Sequence, residues 1–185
     1  MSKKHQNPLY FIALLPPENI RAEIENFKVT IKEKFQVEHA LKLPAHITLQ
    51  IPFRASKEQE AVLFQKLAAF SEEIAPFKID LEDFGRFAKN VIFIKLKDHE
   101  PFIQLHSELQ KTIRSFINLK SHEIPSKIHP HITIAVRDLK RSNFHPIWNE
   151  FEHREYKNSF MSGNLVLLKH NGKTWDIIRT FKLAY

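Results

Sequence analysis

Cysteine is absent from this sequence and glycine nearly so: Gly85, Gly163 and Gly172 are the only three. Without cysteine there is no disulfide framework, no thiol nucleophile and no thiolate-held zinc or iron–sulfur centre. Three isolated glycines leave no room for a Walker loop or a G-x-G-x-x-G turn. Any phosphate chemistry here must do without a glycine cradle. Long apolar runs are missing too. The first one, Leu9–Leu15, stops at Pro16-Pro17 with no small-residue cleavage site behind it. It reads as a buried strand, not as a secretion signal or a membrane span.

Imidazole and positive charge are what the chain supplies freely. Against 21 Asp+Glu there are 28 Lys+Arg, a net charge of +7, and there are 11 His. The excess favours anionic partners such as nucleic acid or nucleotides. With 43% apolar and 26% charged residues in a chain of 185, a single soluble globular domain is expected. A cytoplasmic monomer without membrane contact fits these counts.

The pattern of apolar residues divides the chain into two similar halves, about 8–88 and 89–185. In the first, the run Leu9–Leu15 precedes a helical face of Ile20, Ile24, Phe27, Ile31 and Phe35. A strand-like stretch, Leu41–Phe53, follows. Ser56 and Gln59 form a capping-box pattern before a second helix, and 77–87 alternates as a strand. In the second half, Val91–Lys97 reads as a strand and Phe102–Phe116 as a helix. Lys127–Arg137 reads as a strand, and Ser142 can cap a shorter helix. Two final strands, 165–169 and 175–183, flank Asn171-Gly172, a type I′ hairpin signal.

The third element of each half carries the same core: His46-Ile-Thr-Leu49 and His131-Ile-Thr-Ile134, with Pro44 and Pro130 just ahead. The expectation is a duplication: an α+β, bilobal, pseudo-twofold fold. Each lobe would be an antiparallel sheet with helices on its outer face, and the two H-x-T motifs would line a central cleft. On a strand, residues i and i+2 share a face, so each motif presents one imidazole and one hydroxyl together. Two imidazoles can act as general base and general acid, and two hydroxyls can hold the non-bridging oxygens of a phosphodiester. No metal and no cofactor are needed for that set.

At this point the sequence resembles the 2H phosphoesterase superfamily, in particular the 2′-5′ RNA ligase or RNA 2′,3′-cyclic phosphodiesterase family. The resemblance is carried by PAHITL at 44–49, PHITI at 130–134, the opening YFIALLPP and the closing LVLLKHNGKTWDIIRTFKL. It implies a bilobal α+β fold and opening of 2′,3′-cyclic phosphates on RNA ends or nucleotides to 2′-phosphates. It implies acid/base roles for His46 and His131 and phosphate binding for Thr48 and Thr133. Ligation of 2′-5′ linkages, or nucleotide binding with little catalysis, are the alternatives. The chain departs from the family in two places. The glycine that often follows the first motif is missing. The arginine often found five residues after the second histidine is replaced by Val136, with Arg137 next.

Arg137 shares parity with His131 and Thr133 on a regular strand, which makes it a substrate-binding candidate. Phe87 is a candidate stacking surface for a base, as the resemblance implies for this region. Lys127, Lys42 and Arg54 flank the motifs as possible attractors of an anionic end. His129, two residues before His131, invites a metal reading, but no third ligand stands at a recognisable spacing. Phe84, Trp148 and Trp175 lie in apolar patterns and read as core.

Overall fold

The computed structural model describes residues 6–125 and 127–184; the first five residues, with the lysines ahead of the opening strand, lie outside them. Among the described residues, eight strands and four α-helices follow one another as β1 (Leu9–Leu14), α1 (Glu18–Phe35), β2 (Ile47–Arg54), α2 (Lys57–Glu72), β3 (Lys78–Phe87) and β4 (Val91–Leu96). Then come α3 (Glu100–Arg114), β5 (His131–Val136), α4 (Arg141–Phe151), β6 (Lys157–Met161), β7 (Asn164–His170) and β8 (Trp175–Lys182).

The strands form two four-stranded antiparallel sheets, ordered β2-β1-β7-β8 and β5-β4-β3-β6. β1 is apolar throughout because both of its faces are covered. Tyr10, Ile12 and Leu14 enter the main core, while Phe11 and Ala13 join a smaller cluster with Val166 and Leu168. β4 occupies the same place in the second sheet, with Ile92, Ile94 and Leu96 in the core and Phe93 on the other face. Ser56 and Gln59 make the reciprocal capping box at the start of α2.

The physical lobes do not coincide with the sequence halves 8–88 and 89–185. β3 leaves the first half to pair with β4, and β7 and β8 return from the second half to complete the sheet of β1. The helices cross as well. α1 packs on β5 and sets Phe27 against Phe84 and Phe151, so it covers the second sheet together with α4. α3 lies against β2 and α2 against β8, covering the first sheet. Each lobe is thus assembled from both halves.

Several local expectations are corrected. The strand expected over Leu41–Phe53 begins at Ile47, after a 3₁₀ turn at His39–Lys42. Ser142 does not cap α4: the helix begins one residue earlier, after Lys140, with no side-chain capping hydrogen bond, and the Ser142 hydroxyl meets Asn143 instead. β6 carries no strong apolar signal, with Phe160 alone buried in it. The last hairpin does not turn at Asn171-Gly172 alone. His170 pairs with Trp175, leaving a four-residue loop in which the Asn171 side chain accepts from the amides of Lys173 and Thr174. No helix of the described residues is long and apolar enough to cross a membrane.

Candidate active site between the two sheets

β2 and β5, each the outer strand of its own sheet, approach one another at the centre of the molecule. This places the two H-x-T segments side by side. His46, Thr48 and Thr133 line one cavity of about 220 Å³. His131 stands outside that lining, two residues from Thr133, and its charge is among those acting on His46.

The two imidazoles are built in the same way. Nδ1 of His46 donates to the carbonyl oxygen of Pro44 (2.7 Å), and Nδ1 of His131 donates to that of His129 (2.6 Å). A carbonyl can only accept, so the proton sits on Nδ1 in each ring and Nε2 is left with a free lone pair. Each motif therefore positions its imidazole through the residue two places earlier. A strand irregularity follows each threonine. Thr48 pairs with Ala13 but Gln50 with Ile12, and Thr133 pairs with Phe93 but Ala135 with Ile92. One extra residue, Leu49 or Ile134, is inserted at the same place in both copies.

That insertion changes the reading of Arg137. The strand is not regular, so Val136, not Arg137, continues the face of Thr133 beyond the bulge. Arg137 still reaches the cavity lining, because the strand ends there and its backbone turns into the left-handed region at φ 64°.

The surroundings of the two rings differ. His46 rests on Phe11, centroids 5.2 Å apart. Burial, with the charges of Lys28 and His131, pushes His46 down to about 4 against the opposing Pro44 hydrogen bond. Lys28 of α1 is 2% exposed. Its Nζ donates to Glu25 Oε1 and to the Leu43 carbonyl, both at 3.0 Å, and Glu25 Oε1 accepts from the amide of Ala45 at 2.8 Å. The pair clamps the loop that carries His46. Burial holds the Lys28 ammonium below its usual value, while Glu25 opposes that shift.

His131 stands against two aromatic rings, Phe87 and Phe93, each at 5.0 Å. Burial lowers it as well, partly offset by the His129 carbonyl, and the imidazoles of His129 and His99 push further down. Phe93 lies across β3 at Gly85, where a Cβ would come within 2.7 Å of the ring. This glycine is required by the close approach of an aromatic side chain.

Of the other residues singled out in the sequence, Phe87 is at the site, against His131 and His129. Lys127 is exposed and lines a separate groove against α3, and Arg54 donates to the Asn7 carbonyl. Phe84 is in the core, and Trp148 is half-buried against it. Trp175 is half-buried against the smaller cluster of Phe11, Ala13, Val166 and Leu168, and it has a second role. It lines the His46 cavity and stands edge-on to Phe11 at 4.7 Å. Among the described residues no three His, Asp or Glu are grouped to hold a metal ion; His129 packs instead on His99 at 4.8 Å. Lys28 was missed although a signal existed. It occupies the apolar stripe Ile20, Ile24, Lys28, Ile31 at helical spacing, and a charge on such a stripe is buried.

Known proteins bear out this architecture. The profile of the 2′-5′ RNA ligase superfamily matches residues 16–174. A protein of Geobacillus kaustophilus (strain HTA426) named "Putative phosphoesterase" is 26% identical over 176 residues, covering 93% of this chain and 94% of its own. The crystal structure of E. coli LigT complexed with 3′-AMP superposes with a TM-score of 0.67 at 20% identity, over 97% of this chain and 100% of that one. TT0787 of Thermus thermophilus gives the same score and identity over 95% of this chain and 97% of its own.

Proposed function

Because the chain belongs to the 2′-5′ RNA ligase superfamily, we propose that it is a phosphoesterase that opens 2′,3′-cyclic phosphates of RNA ends or nucleotides to 2′-phosphates, without a metal. Relatives named as phosphoesterases, and crystals of LigT with 3′-AMP, phosphate and ATP, support a phosphate ester as the object. The observation that carries the reading is the equal anchoring of His46 and His131 through Nδ1, on strands β2 and β5 that approach one another closely enough for the charge of His131 to act on His46.

In this reaction water attacks phosphorus and the P–O3′ bond breaks. One neutral imidazole takes the proton from water, and one imidazolium gives a proton to the departing O3′. The Thr48 and Thr133 hydroxyls donate to the non-bridging oxygens as charge builds on them. Burial favours the neutral form of both rings in the free protein. The anionic substrate supplies the charge that lets one of them take up the required proton. The rate then has a bell-shaped pH dependence whose two apparent pKa values belong to the pair.

The test is turnover of a nucleoside 2′,3′-cyclic phosphate in EDTA, with the product's phosphate position determined. His46→Ala and His131→Ala should each cost about 10²–10⁴-fold. No turnover, or turnover indifferent to both substitutions, overturns the reading. A second reading, nucleotide binding with little catalysis, is favoured by Val136 on the cleft face where the family often has arginine. It requires salt-dependent RNA binding that survives both histidine substitutions.

A further inference from the structure

Cations line the cleft from several sides of the fold. Lys42 from the 3₁₀ turn, Arg137 from the end of β5 and Lys173 from the β7–β8 loop all line the cavity that holds His46. They come from three separate parts of the chain. None of the three has a carboxylate within ion-pair distance among the described residues. No Asp or Glu among those residues lines the cavity either. The carboxylate beside them, Asp138, turns one oxygen to the amides of Glu38 and His39 at 2.9 Å each. His39, also in the lining, is pushed down by burial first and then by Arg137 and Lys42, which shows how closely the positive groups approach. Arg137 holds a left-handed backbone to reach this place.

The reacting phosphate has its own partners in the two imidazoles and the two threonine hydroxyls. It leaves the three cations of the cavity lining unmatched. We propose that these three cations form a second phosphate subsite, which takes the phosphate on the 5′ side of the ribose whose cyclic ester is opened. The inference rests on the functional reading above and narrows its substrate: a nucleotide that carries a second phosphate, not a bare nucleoside cyclic phosphate. The source of that phosphate is either a terminal 5′-phosphate on a free nucleotide or the linkage to the preceding residue of an RNA end. Both present the same anionic oxygens to lysine and arginine.

The experiment is calorimetric titration at low salt with adenosine 2′-phosphate, adenosine 2′,5′-bisphosphate and a diadenylate ending in a 2′-phosphate. These ligands are products, so binding is read whether or not the protein turns anything over. The bisphosphate, the diadenylate or both should bind about tenfold or more tighter than the monophosphate. The advantage should shrink with added salt and collapse in the Lys42→Gln/Lys173→Gln double variant. A gain confined to the diadenylate assigns the subsite to RNA ends; an equal gain for the bisphosphate assigns it to a terminal phosphate. Both residues are exposed, so the circular dichroism spectrum of the double variant should match the parent's. Equal affinity for all three ligands, or an advantage untouched by the double substitution, overturns the proposal. Loss of cyclic phosphate turnover with the advantage intact would instead remove only the catalytic reading.

Discussion

His46 and His131 have the same backbone anchor and different company. Each donates Nδ1–H to a carbonyl two residues back, and each precedes a bulge of one residue after its threonine. Around His46 the structure places a buried ammonium and a cationic cavity. Around His131 it places two phenylalanines and two further imidazoles. What the two copies share is therefore what acid/base chemistry needs: ring orientation, tautomer and a hydroxyl on the same face. What they do not share is what a ligand would touch on either side. A duplicated pattern can keep a symmetrical reaction centre while its two flanks diverge to hold unlike parts of one substrate.

The comparison is tested most severely by removing both imidazoles at once. If they act as a unit, the His46→Ala/His131→Ala double variant should be little slower than the worse single variant, so the two losses will not multiply. Full multiplication in steady-state kinetics would mean that the two rings act independently. Next in size is the pair of hydroxyls. Thr48→Val and Thr133→Val should each lower kcat by about 10²–10³-fold with small changes in KM, as expected for donors to developing charge. A large effect from only one of them would break the symmetry of the centre.

The histidine flanks should also separate in their response to acid. His46 is held down to about 4 in the folded protein, so the unfolded chain binds the proton first as pH falls. Its contribution to stability is present above about pH 6.5 and is lost between there and pH 4, about 3 kcal/mol in all. Urea denaturation at pH 7 and pH 4 should show a smaller loss for His46→Ala than for the parent protein. Lys28→Met, which removes a nearby positive charge, should raise the His46 titration midpoint seen by NMR and leave that of His131 in place. The smallest expected effect is on the other flank. Gly85→Ala would drive a methyl into the Phe93 ring and cost about 1–3 kcal/mol of stability. It should disturb the chemical shifts of His131 and spare those of His46.

The paired motifs of the candidate site were legible in the sequence because identical short motifs in equivalent strands need no knowledge of partners. The covered faces of β1, the helical stripes and the capping box at Ser56 were legible for the same local reason. Which strand pairs with which was not, since period-two alternation fixes a face but not a neighbour. That is why the halves at 8–88 and 89–185 differ from the lobes, which exchange β3 and the β7–β8 hairpin. The parity argument for Arg137 failed because a bulge leaves no mark in hydrophobic pattern. That Trp175 packs on the smaller cluster was legible, but its place in the cleft wall was not, since an aromatic residue that does both looks like a core residue along the chain. Lys28 was readable in principle from its place on an apolar stripe.

The exchange of strands between the lobes has a consequence during synthesis. β1 finds β2 early, but its other edge is completed only by β7, with Leu14 facing Leu165 near the far end of the chain. Until then a wholly apolar strand offers an unpaired edge to whatever the nascent chain meets. The second sheet is also incomplete until β6 is made, so neither sheet can close while most of the chain is still missing. A protein built this way completes the wall of its cleft only when the β7–β8 hairpin, with His170, Lys173 and Trp175, has docked on β1.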